Sequence, residues 1–66
     1  MTTPDERTRA ILHTKDLLVE LLSAEQAPNV PEAIRDEARR LLRHYPSPAE
    51  LGLAHRALPM FFGEPL

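Results

Sequence analysis

Seven prolines divide this chain, at Pro4, Pro28, Pro31, Pro46, Pro48, Pro59 and Pro65, and the segments between them limit what it can fold into. Inside a helix, proline removes a backbone donor and clashes with the preceding turn; at the first helical position its missing N–H costs nothing. Pro4, Pro31 and Pro48 therefore read as helix openings, and Pro28, Pro46 and Pro59 as stops. No segment alternates apolar and polar residues as a strand would. The pattern predicts an all-α fold in one domain over residues 1–66: three helices at about 4–24, 31–44 and 48–58, with an apolar C-terminal tail packed back on them.

The openings carry their own chemistry. In Thr3-Pro4-Asp5-Glu6, Thr3 can cap the first helix and Glu6 can reach back to its backbone, a capping box. Asp5 and Glu6 also suit the positive end of the helix dipole. Ser47-Pro48-Ala49-Glu50 repeats this arrangement for the third helix. The second start is weaker: Val30 is a poor cap before Pro31, and Asn29 is the alternative.

Apolar periodicity fills in the faces. Ile11, Leu18 and Leu22, with Ala10, Thr14, Leu17 and Leu21 beside them and Leu12 and Val19 widening the stripe, give the first helix one broad core-facing side. Ala27-Pro28-Asn29-Val30-Pro31 is a short stiff connection, as expected between two antiparallel helices. In the second helix Ile34, Ala38, Leu41 and Tyr45 recur at helical spacing with Leu42 on their flank, so Leu41, Leu42 and Tyr45 are expected in the core. Asp36 and Glu37 precede Arg39 and Arg40 by three or four positions, the favourable order for helical ion pairs. The third helix carries Leu51, Ala54 and Leu58 on one side and Leu53 and Ala57 beside them. Gly52 weakens that helix by about 1 kcal/mol relative to alanine, and is expected to mark a close approach of another helix. Met60, Phe61 and Phe62 are expected to fold back over the helices, with Glu64-Pro65-Leu66 frayed.

A chain of 66 residues buries only about 60% of its unfolded surface, so its core is marginal without disulfides, a metal or a partner. There is no cysteine, and His13, His44 and His55 lack metal-ligand spacing, so no metal or cofactor is expected and association is the remaining support. The net charge of −2 argues against a general polyanion binder. No apolar run reaches the length of a membrane span, and the polar, acidic start does not read as an export signal. The expectation is a soluble cytoplasmic protein.

One constellation stands out. Arg35, Arg39 and Arg43 form a stripe at four-residue spacing, with Arg40 and His44 beside it. Such a stripe can grip phosphates or an acidic partner; it is equally a solvated helix face neutralised by Asp36 and Glu37, with its bases suiting the negative end of the dipole. The His44–Tyr45 pair has no nucleophile, anion loop or paired carboxylate to complete a catalytic site, so an enzyme is not expected. Tyr45 reads as an anchor at the core edge, and His13 and His55 as surface residues. A helix-turn-helix reading is poor, because the third helix offers only Glu50, His55 and Arg56 to reach bases. Met60-Phe61-Phe62 can pack on its own core, dock another protein, or do both across two chains.

The start MTTPDERTRA (Met1 to Ala10) and the run Ile34 to Pro48, with RRLLRHYPSP at its centre, resemble a family of short proteobacterial proteins of unknown function. The likeness extends over nearly the whole chain, including Ala57-Leu58-Pro59 and Phe62-Gly63. It implies a small stand-alone bacterial protein and supplies no activity or binding residues. The functional expectation is a non-enzymatic interaction or regulatory module that binds a protein partner. The alternatives are nucleic-acid binding through the arginine stripe and a self-associating structural subunit, a homodimer for instance.

Overall fold

The computed structural model describes residues 1–65 and contains three helices, α1 (Pro4–Leu22), α2 (Glu32–Arg43) and α3 (Pro48–Ala57), with no strand among the described residues. The all-α class and the three proline-led segments stand as expected. Each helix is shorter than predicted, for local reasons. Ser23 ends α1 before residue 24: its N–H bonds the Glu20 carbonyl three residues back, and its hydroxyl accepts from the Gln26 N–H at 3.3 Å. Pro31 is the N-cap of α2 rather than its first helical residue, with extended backbone at φ −60° and ψ 147°. No side chain caps α2, so Asn29 does not take that role. At the other end His44 and Leu58 are C-caps, outside α2 and α3.

Both capping boxes form. The Thr3 N–H donates to Glu6 Oε1 at 2.9 Å and the Glu6 N–H donates to Thr3 Oγ1 at 3.2 Å. The Ser47 N–H donates to Glu50 Oε1 at 2.8 Å and the Glu50 N–H donates to Ser47 Oγ at 3.1 Å. The bond from the Thr3 backbone, then that from its hydroxyl partner, holds the Glu6 carboxyl below its ordinary range; the Ser47 backbone and side chain do the same for Glu50.

The chain divides into two compact units: Met1–His13 with Pro46–Leu66, and Thr14–Tyr45. In the first, the tail does return to the helices, but its backbone makes the contact. The Gly63 N–H donates to the Pro4 carbonyl at 3.0 Å, and Thr8 Oγ1 donates to the Gly63 carbonyl at 3.0 Å. Thr8 is 1% exposed and Leu51 5%, and Gly63 is buried with them. Of the three side chains expected to cover the core, Phe62 is half-buried, whereas Met60 and Phe61 are exposed. The close approach expected at Gly52 is also absent, since a Cβ there would meet nothing within 4 Å. It occurs at Gly63, where a Cβ would stand 2.7 Å from the Asp5 Cα. The fraying expected of Glu64-Pro65-Leu66 falls partly on Leu66, which lies outside the described residues.

In the second unit Ala38 is 2% exposed, with Leu18, Leu21, Leu22, Leu42 and Tyr45 half-buried. Leu41, expected in the core, is exposed, as are Ile34, Leu17 and Val19. The helical wheel explains the first two. Arg35, Ala38 and Leu42 set the direction of burial in α2, and Ile34 and Leu41, seven residues apart, share its border.

Three outcomes follow. Gly63→Ala forces a methyl against α1 backbone that cannot yield, and should destabilise by about 1–3 kcal/mol in urea unfolding. Thr8→Val should cost a similar ~1–3 kcal/mol by leaving the Gly63 carbonyl without its donor, whereas Thr8→Ser, which keeps the hydroxyl, should recover much of that loss. A carboxyl lowered in the folded state stabilises the fold above its unfolded value, and this contribution disappears as pH falls through the folded value. The melting temperature should therefore drop in acid. Glu6→Gln with Glu50→Gln, which retains both boxes with neutral acceptors, should flatten that drop; a profile identical to wild type would assign it elsewhere.

Candidate functional site

The arginine stripe lies on α2, and its members are not equivalent. Arg39 bridges two acids on its own helix, Glu32 at 3.2 Å and Asp36 in closer contact. Arg40 forks onto Glu37, with Nε donating to Oε2 at 3.2 Å and Nη2 paired with Oε1. Through its hydrogen bond the Arg40 guanidinium holds the Glu37 carboxyl below its ordinary range, while Glu32 and then Asp36 raise Arg39 above its own. These pairs are exposed and open to salt screening. They nevertheless place three carboxylates within the stripe.

Arg35 is turned to a structural task. It is half-buried, and its Nη2 donates to the Ala27 carbonyl at 2.6 Å, tying the first turns of α2 to the connection before it. Its Nε is buried without a hydrogen-bond partner. Arg43 and His44 are exposed, and neither has an ion pair among the described residues. Of the five residues expected to form an anion surface, two thus present unpaired side chains. Counting Glu32, Asp36 and Glu37 against Arg35, Arg39, Arg40 and Arg43, α2 carries a net +1. That is a weak basis for phosphate affinity, which grows with each phosphate neutralised.

The tail residues are held differently. Arg7 Nη1 donates to the Phe61 carbonyl at 2.5 Å, and its guanidinium carbon lies 5.9 Å from the centre of the Phe61 ring, within cation–π range. His55 Nδ1 lies 2.9 Å from the Phe62 carbonyl, so it carries the proton that makes this bond. His55 is therefore a half-buried clamp on the tail, not the surface residue expected; His13 is exposed, as expected. With its backbone fixed at Phe61, Phe62 and Gly63, the tail leaves Met60 and much of the Phe61 ring in solvent. The sequence pointed to Met60, Phe61 and Phe62 but missed Arg7, Thr8 and His55, which fasten them. Their signal was faint: Arg7 and Thr8 read as part of a polar first stretch of α1, and His55 as a surface residue.

Among the described residues no group of three or more His, Cys, Asp or Glu is placed to hold a metal, and no helix is long and apolar enough to cross a membrane. The distribution of charge gives one expected outcome. Duplex DNA or RNA should show no measurable complex at 50 mM salt in a fluorescence-anisotropy titration down to micromolar affinity. A complex that weakens steeply with added salt and vanishes on Arg39→Glu with Arg43→Glu would restore the stripe as a phosphate site.

No family model matches this chain, and neither a curated protein nor a solved structure matches it.

Proposed function

We propose that this protein is a small non-enzymatic interaction module, cytoplasmic and bacterial, whose task is to bind a protein partner. The observation that carries this reading is where the large apolar side chains lie. Met1, Leu17, Val19, Ile34, Leu41, Leu53, Leu58, Met60 and Phe61 are all exposed, while among the apolar side chains of the described residues only Ala38 and Leu51 are buried. Single exposed apolar residues are ordinary on protein surfaces, but nine large ones on a chain of 66 residues are many. Arginine and carboxylate, by contrast, are mostly paired within α2. Surface free to recognise something is thus apolar rather than ionic, which favours a protein partner over a nucleic acid.

A second reading, self-association, draws on the same surface and on the thinness of the core. A buried set consisting of an alanine, a leucine, a threonine and a glycine gives little apolar burial with which to offset chain entropy. The two readings are compatible, since a dimer can still present apolar surface.

Site-specific photo-crosslinking in the native host tests the leading proposal. A benzophenone amino acid at Met60 or Leu41 should give discrete protein adducts of defined mass, while the same group at Glu20, an exposed acidic position on α1, should give none above background. Adducts to nucleic acid alone, or the same smear from all three positions, would refute the module.

A further inference from the structure

The C-terminal tail is held as a bound peptide would be. The Gly63 N–H donates to the Pro4 carbonyl, and the carbonyls of Phe61, Phe62 and Gly63 accept from Arg7 Nη1, His55 Nδ1 and Thr8 Oγ1. All four of these bonds end on main-chain atoms of the tail. Their other ends lie on α1 and α3, and every participant belongs to one compact unit. Large side chains of the tail add little burial, since Met60 is 77% exposed and Phe61 51%. The strictest demand is for the lack of a side chain at residue 63. A Cβ there would stand 2.7 Å from the Asp5 Cα and 2.9 Å from the Asp5 N.

We propose that α1 and α3 form a peptide-binding site whose ligand is a main-chain segment with glycine as its third residue, and that the chain's own tail occupies it as a detachable strap. Three observations carry this. The first is that the site is built without the tail. Arg7 and Thr8 are consecutive on α1 and His55 lies on α3, and both helices are started by their own capping boxes. Second, the contact has the division of labour found in peptide recognition, where main-chain bonds give affinity and side-chain pockets give specificity. Here three side chains read three successive carbonyls, and the slot against Asp5 admits glycine alone.

Third, the tail can leave without opening an apolar seam. It follows a turn in which the Phe61 and Phe62 N–H groups both donate to the Leu58 carbonyl, around Pro59. Segments with few buried apolar contacts open at the lowest free energy. The group most fully uncovered is polar: the side chain of Thr8, 1% exposed, can bond water in place of the Gly63 carbonyl.

A strap on a short tether also sets its own threshold. Its effective concentration is about millimolar, so a separate peptide competes only where the tail's hold is weakened or the peptide is locally concentrated. This site is polar and distinct from the exposed apolar surface that supports the interaction module, so either can fail without the other.

The full chain tests the proposal, with a peptide of residues 59–65 blocked at both ends as the probe. In hydrogen exchange followed by NMR, the protection factor of the Gly63 amide should be roughly 10-fold or more below that of the best-protected amides in α3. Gly63→Ala frees the tail and leaves the slot intact. The peptide should bind this variant with a Kd of about 1 mM or lower, shift the amide signals of Thr8 and His55, and raise the melting temperature. Wild type, whose slot is filled, should bind it roughly 10-fold or more weakly, as should the variant when the peptide carries alanine in place of its glycine. Should Gly63→Ala be largely unfolded, recovery of folded signal on adding the glycine peptide, and not the alanine one, is the expected result. Gly63 protection equal to that of global unfolding would overturn the proposal. So would a variant that binds neither peptide, or both alike.

Discussion

The backbone of Gly63 has to lie against the first turns of α1, and much of the unit formed by the two chain ends depends on that contact. At 2.7 Å between a would-be Cβ and the Asp5 Cα, no other residue fits without moving helix backbone. The close approach lets the Gly63 N–H reach the Pro4 carbonyl and the Gly63 carbonyl reach the Thr8 hydroxyl. Buried peptide groups are costly unless paired, so these bonds remove a penalty as much as they add an attraction. Arg7 and His55 then take the Phe61 and Phe62 carbonyls. Three consecutive tail carbonyls, at 61, 62 and 63, are thus claimed by side chains from α1 and α3. Thr8 is the most buried polar residue because it serves this geometry rather than an apolar stripe.

That arrangement separates what local sequence can reveal from what it cannot. The openings at Thr3 and Ser47 were legible because cap, proline and acid lie within four positions and act on their own turn. Helix ends were less so: Ser23 stops α1 with bonds that no breaker residue announces. Gly63 and Thr8 meet across 55 positions, and nothing near either residue records the other. The same gap explains why Gly52 was assigned the close approach that belongs to Gly63. A glycine inside a helix draws attention by weakening it, whereas one in a tail looks like ordinary turn chemistry. Both phenylalanines were expected inside on hydrophobicity alone, yet with the tail fixed by its carbonyls Phe62 is only half-buried and the Phe61 ring is exposed.

The arginine stripe shows a different limit. Its position on α2 and two of its acidic partners, Asp36 and Glu37, follow from three-residue spacing. Glu32 is seven residues from Arg39, two turns away, and joins only because the long guanidinium side chain extends along the helix. Arg35 is drawn out of the stripe by the Ala27 carbonyl, which lies in the turn before Pro28 and also accepts from the Val30 N–H. A row of like charges in sequence thus becomes two internal ion-pair clusters, one structural tie and a short basic end at Arg43 and His44. What distinguishes this surface is therefore its apolar content.

The third helix brings these constraints together. With ten residues and a glycine among them, α3 is too short to persist in water on its own propensity, since helices below about 12 residues are marginal even in favourable sequences. Its N-terminus is fixed by the Ser47–Glu50 box, and its C-terminal half is engaged through His55 and the returning tail. One side of Leu51 packing completes what the unit supplies to it. The row of Ala49, Leu53 and Ala57 is exposed. Helix α3 and the tail are coupled through His55 and the Phe62 carbonyl: whatever binds the exposed side of the folded α3 also favours the docked tail, by mass action and without a new contact to the tail itself.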